Sequence, residues 1–197
     1  MRLPPVAFTL SALLLLAGAA RAQNPPVQRA MLHTAAEKIA NAMAAAPASI
    51  SANATIMDWP SAPGAQPAVL RQGTNGWTCF PDEPGTDGND PMCLDGEFTK
   101  WVQAMVTHTA PQLAGVGIGY MIAPGGASGS NTDPYAMAPT ADNQWGFDPP
   151  HLMIVVPDVH ALAGMPTTRT AGAPWVMWSG TPYAHIMAPV TVPPPGY

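Results

Sequence analysis

A chain of 197 residues with 47% hydrophobic and only 10% charged residues, 25 prolines and 18 glycines is neither a disordered polyelectrolyte nor a collagen-like repeat, and two cysteines are too few for a disulfide-dense miniprotein. Length of this order suits one sizeable core rather than two. A formal net charge of −5, from seven basic and twelve acidic residues, argues against the clustered Lys and Arg with which a nucleic-acid binder displaces counterions, so no nucleic-acid partner is expected.

The N-terminus reads as an export signal. Arg2 supplies an early positive charge, the apolar run from Val6 to Leu16 is too short to span about 30 Å of hydrocarbon, and Ala20-Arg21-Ala22 offers the small residues a signal peptidase grips. Residues 1–22 are therefore expected to be a signal peptide cleaved between Ala22 and Gln23. The mature chain is expected to be a single globular domain over 23–192 with a disordered tail over 193–197, with no transmembrane segment after cleavage and a secreted or periplasmic location.

Asn24 before Pro25 and Pro26 suits a helix start, and Val27, Met31, Ala35, Ile39 and Met43 recur every fourth residue, which predicts an amphipathic helix ending near Pro47. His33 and Glu37 fall one turn apart on its solvated face. Alternation of Ile50, Ala52, Ala54 and Ile56 predicts a strand within Ser49–Trp59, and a second strand is expected over Ala68–Gln72. The turn Gly73-Thr74-Asn75-Gly76 then leads into a strand at Trp77–Phe80, the two strands forming one hairpin. Asp95 caps a helix in which Phe98, Trp101, Val102, Met105 and Thr109 share a face, ended by Pro111. In Val116–Ile122 glycines alternate along a strand, so one face is bare backbone against which something packs closely. Residues 124–150 read as a long irregular loop, His151–Val156 as a central strand, Asp158 as the cap of a short helix through Leu162, and Trp175–Trp178 and Tyr183–Val190 as two final strands. The expected class is α+β: a largely antiparallel sheet of about five to seven short strands, two main helices and long Pro/Gly-rich loops.

Cys79 and Cys93, 14 positions apart in an exported chain, are expected to form a disulfide. The segment they enclose carries Asp82, Glu83, Asp87 and Asp90, with Asp95 and Glu97 just beyond. Calcium is the obvious suggestion for such a cluster. Asp87-Gly88-Asn89-Asp90-Pro91-Met92 lacks the glycine and distal Glu of an EF-hand, however, so a soluble acidic loop is the better reading.

Two His-x-Met pairs, His151 with Met153 and His185 with Met187, each present an imidazole and a thioether to one side of a strand, a donor set suited to Cu(I). Met31-Leu32-His33 is a reversed copy on a predicted helix, where i and i+2 diverge. Zinc held by His151, His160 and His185 lacks any spacing that sets their separation. Buried core positions explain the same residues, and no metal or other cofactor is expected. No nucleophile elbow surrounds Ser128, and Gly115-Val116-Gly117-Ile118-Gly119 has the wrong spacing for a dinucleotide fingerprint. His185, beside Tyr183 at the start of the last strand, is the candidate general base if the chain is a hydrolase-like enzyme.

Gly73-Thr74-Asn75-Gly76-Trp77-Thr78-Cys79, Asn89-Asp90-Pro91-Met92-Cys93 and Gly180-Thr181-Pro182-Tyr183-Ala184-His185-Ile186-Met187 resemble segments of a group of uncharacterised bacterial exported proteins. The resemblance spans most of the mature chain and implies export without implying an activity. The leading expectation is a non-catalytic binding or envelope-associated module. Tyr135, Trp145 and Phe147, among Gly, Asn and Asp in the 124–150 loop, would offer stacking surface to a small apolar or sugar-like ligand or an envelope component.

Overall fold

Thr34 begins the first helix because its hydroxyl accepts the Glu37 N–H at 3.2 Å while the Glu37 carboxylate accepts the Thr34 N–H at 2.8 Å, a reciprocal capping box. The computed structural model describes residues 31–190 apart from 63 and 171, so the expected signal peptide, the Asn24 cap, Val27 and the 193–197 tail lie outside the described residues. Helix α1 runs over Ala35–Ala44 and therefore starts later than the four-residue periodicity suggests. Met31 and His33 precede it as non-helical chain.

Pro47 starts a second short helix, α2 (Ala48–Ser51), where the alternation predicts a strand. The carbonyls released at its end are taken by side chains: Asn75 Nδ2 donates to Ile50 O at 2.8 Å and Arg71 to the carbonyls of Ser51 and Ala54 at 2.6 and 2.9 Å. Only Thr55–Met57 (β1) is extended there. Strands β2 (Val69–Arg71) and β3 (Thr78–Phe80) do not form the expected hairpin, because β1 lies between them, antiparallel to β2 and parallel to β3. The short β4 (Met92–Leu94), which no alternation announces, pairs with β3 and places Cys79 directly opposite Cys93. The disulfide is formed, and both cysteines are 0% exposed.

Helix α3 (Gly96–Val106) is capped by Asp95, whose Oδ1 accepts the Phe98 N–H and whose Oδ2 accepts the Ile118 N–H, both at 2.8 Å. One carboxylate thus ties the helix start to β5 (Gly117–Met121). The bare glycine face receives α3 as expected: a Cβ at Gly117 would stand 2.6 Å from Phe98 N, and one at Gly119 2.9 Å from the Met153 ε-methyl. Strands β6 (Ala127–Gly129) and β7 (Gly146–Asp148) pair as a separate two-stranded ribbon inside the segment read as loop. Then come β8 (His151–Val155), a 3-10 turn at Val159–Leu162 capped by Asp158, β9 (Trp175–Met177) and β10 (His185–Pro189).

The main sheet has eight strands in the order β2-β1-β3-β4-β5-β8-β10-β9, antiparallel except at β1–β3. With β6 and β7 the described residues contain ten strands, more than the five to seven expected, in the α+β class expected. Alternate residues face opposite ways. One face, carrying Leu94, Met153, Val155, Trp175, Met177 and Met187, meets Phe98 and Trp101 of α3. On the other face α1 covers Ile56 and the disulfide, and the 3-10 turn sets Leu162 against Val176 and Ala184.

Candidate functional site

The chain leaves α3 through His108, which takes the left-handed conformation (φ 55°) that glycine usually supplies at this position. That turn stacks its imidazole on Tyr135, centroids 4.4 Å apart and planes at 21°. Tyr135 donates its hydroxyl to Met105 O at 3.3 Å and meets Tyr183 edge-on, and Tyr183 donates to Thr109 O at 3.0 Å. The hydroxyl contact with Tyr183 pushes the Tyr135 phenol up to about 12, so it stays protonated. Tyr183 in turn meets Trp101 edge-on, and Trp101 lies parallel to Trp178 at 5.8 Å. Trp178 also adopts positive φ, 54°. A continuous run of rings thus leads from the core to a surface where Tyr135 is 41% exposed.

An open groove of about 330 Å³ flanks the same end of α3. Thr99, Gln103, Thr107, Thr109 and Gln112 line it together with Lys100, Ala104 and Ala110, so a few hydroxyls and amides are set into a largely apolar wall. The other two aromatics of the expected trio stand elsewhere. Phe147 lies on the β6–β7 ribbon, where its ring would be 2.9 Å from a Cβ at Gly126, and both it and Trp145 are half-buried. The segment over 124–150 is fastened rather than loose. Arg169 grips the Asp148 carboxylate with two N–H groups at 2.7 and 3.0 Å and also donates to the carbonyls of Gln144 and Gly129. Asn131, 2% exposed, accepts from Trp175 Nε1 at 2.9 Å and donates to Gln144 and Thr167.

His185 is 1% exposed. Trp101 and Trp178 meet its ring edge-on at 5.1 and 4.9 Å, and its Nδ1 lies 3.0 Å from Tyr183 O. Burial pushes its pKa down to about 4. Among the described residues no hydrogen bond joins it to Ser, Asp or Glu, so the surroundings supply neither an orienting carboxylate nor a nucleophile for base catalysis. His151, 4% exposed, places Nδ1 2.6 Å from Pro149 O. Its Nε2 is buried with no hydrogen-bond partner among the described residues. His160 is exposed on the 3-10 turn while His151 and His185 are buried in strands, and among the described residues the three are not grouped to hold a metal.

The acidic loop turns inward. Asp82 Oδ1 accepts the Asp90 N–H at 2.9 Å and Asp90 Oδ1 the Glu83 N–H at 3.1 Å, with both aspartates buried. Asp87 accepts the Ser128 N–H, and Asn89 bonds to Asn41 of α1 and to Pro124 O. Desolvation, then the hydrogen bond that protonated Asp90 donates to the Asp82 carboxylate, raise Asp90 to about 7, and desolvation raises Glu83. These carboxylates hold backbone and one another. Among the described residues no three His, Cys, Asp or Glu side chains are placed to hold a metal.

Sequence reasoning reached His151, His185 and Tyr135 but missed His108, Asn131 and Arg169. For His108 one local signal existed: the helix expected to run to Pro111 ends at Val106, and no glycine stands between Met105 and Pro111 to make the terminating turn. Among the described residues no helix is long and apolar enough to cross a membrane. Comparison with protein-family models, with curated proteins and with solved structures returns no match.

Proposed function

We propose that the protein is an exported, disulfide-stabilised, non-catalytic binding module that presents Tyr135, His108 and the adjoining groove to a neutral, hydroxyl-rich ligand of the sugar class, such as an envelope glycan. The observation that carries this reading is the exposed Tyr135 ring, held by stacking and by its hydroxyl. Aromatic faces stack on the apolar faces of sugar rings, and at the groove the Gln103 amide offers donors and an acceptor, while Thr99, Thr107 and Thr109, whose hydroxyls donate to the Asp95, Gln103 and Ala104 carbonyls, offer acceptor oxygens. His108 sits in a backbone conformation costing about 1–3 kcal/mol, which glycine would relieve. Keeping an imidazole there makes sense if the ring is used. Export rests on the leader-like sequence of residues 1–22, and the formed disulfide suits an oxidising compartment.

Titration of the mature protein with chitotetraose, followed by two-dimensional NMR, tests the reading. The expected result is saturable shifts at Tyr135, Gln103 and Thr109 that vanish in Tyr135→Ala while the melting temperature changes little, with Trp145→Ala retaining them. Absence of shifts with millimolar chitotetraose and with solubilised peptidoglycan fragments would remove the basis for a glycan ligand.

A further inference from the structure

Strand register sets three methionines around His151. Met121 is its direct partner across β5–β8, Met153 is two residues on along β8, and Met187 is diagonal to it on β10, two residues before Pro189, which pairs with His151. Directly opposed side chains on a sheet have Cβ atoms about 4.5–5.5 Å apart and diagonal ones about 7–8 Å. All three methionines belong to or pack against the core cluster on the α3 face. The unbranched thioether has three rotatable bonds with which to reach a common centre. Met121 is only partly buried.

The imidazole is set up as a ligand. Because Nδ1 faces the Pro149 carbonyl at 2.6 Å, it donates its proton there, and in the neutral ring the lone pair is on Nε2. A backbone carbonyl on Nδ1 is the common way proteins orient a metal-bound imidazole. That lone pair is on the buried polar atom without a partner.

We propose that His151 Nε2, with the thioethers of Met121, Met153 and Met187, forms a buried site for Cu(I). Imidazole and thioether are a donor set matched to this soft monovalent ion and poorly matched to calcium or magnesium. His185 belongs to no such sphere. It lies four residues from Pro189 along β10, about 13 Å at the rise of a strand, so the two His-x-Met pairs do not close on one ion. The site is independent of the glycan reading and uses none of its residues.

The test is anaerobic transfer of Cu(I) from bicinchoninate to the mature protein, with copper-edge X-ray absorption on the product. One equivalent should be bound, with sulfur and nitrogen neighbours. Met121→Leu and Met187→Leu, close in volume to the native residue, should each weaken binding at least tenfold, and His151→Gln should abolish it, while His160→Ala has no effect. If His151→Gln fails to fold, the two leucine variants and the wild-type spectrum decide. Retention of all copper by the chelator, a spectrum with only nitrogen or oxygen neighbours, or leucine variants that bind within twofold of wild type would each overturn the proposal.

Discussion

Asp90 and His185 are buried ionisable groups whose pKa values are displaced in opposite directions, so they give opposite dependences of stability on pH. Asp90 is raised in the folded chain from 3.8 to about 7, and its contribution is fully present below about pH 4 and lost as pH rises through 7. His185 is depressed from 6.5 to about 4, and its contribution is present above pH 6.5 and lost as pH falls toward 4. Between those limits the two slopes offset each other. Asn at position 90 keeps the acceptor for the Glu83 N–H and adds a permanent donor toward Asp82, imitating the protonated acid. Asp90→Asn should therefore be more stable than wild type at pH 8 by at least about 1 kcal/mol and should lose stability more steeply between pH 6.5 and 4. Urea denaturation across that range checks both signs, and an unchanged slope would refute the assignment. At the C-terminal end of α3, His108→Gly should leave the melting temperature equal or higher while removing the stack on Tyr135, and a marked fall in melting temperature would show that the stack outweighs the backbone strain.

Among the elements, the covering segment over 124–150 depends on a side chain outside it. Arg169 joins β6, the turn before β7 and the Asp148 carboxylate, so Arg169→Ala leaves that carboxylate, part of a largely buried pair, without its partner and should cost about 3–5 kcal/mol. Lysine reproduces the charge but not the fork, and Arg169→Lys should recover only part of the loss in a melting experiment. Deleting 125–131 should unfold the protein, because Asn131 bonds to both Trp175 and Thr167, and a deletion variant melting like wild type would contradict this. The disulfide behaves differently. With both cysteines buried, alkylating reagent should find no thiol in the native protein, and reduction should require denaturant. Once reduced, the chain should lose roughly 3 kcal/mol, read as a lower melting temperature.

At the level of the whole molecule, local pattern and long-range assembly were legible to different degrees. The α3 face, the His151 and His185 strands and the Cys79–Cys93 pair follow from periodicity and cysteine number, because each is decided by residues within a short window or by a count of two. The 48–51 helix stands in place of an expected strand because alternation of small residues such as Ala52 and Ala54 carries little β preference, and Pro47 together with the distant Asn75 and Arg71 decides the outcome. β1 sits between β2 and β3 through a parallel pairing that no local turn encodes. The exposed Tyr135 was legible as an aromatic in a polar loop, whereas its His108 partner comes from the turn that ends α3, 27 residues earlier in the chain. Trp145 and Phe147 were indistinguishable from Tyr135 in sequence because burial in the ribbon is a tertiary property.

The sheet order also governs how the protein behaves in a crowd of its own copies. With few charges to hold molecules apart, an open strand edge would template intermolecular pairing. The two outermost strands, β2 and β9, are three residues each, and β9 is covered where the Val176 N–H donates to Pro166 O. On the other side Arg71 ends β2 with its guanidinium turned back onto the Ser51 and Ala54 carbonyls. The five-residue strands β5, β8 and β10, which would be the more adhesive templates, are all interior. In this weakly charged chain, edge-to-edge pairing is thus limited by where the longest strands are placed.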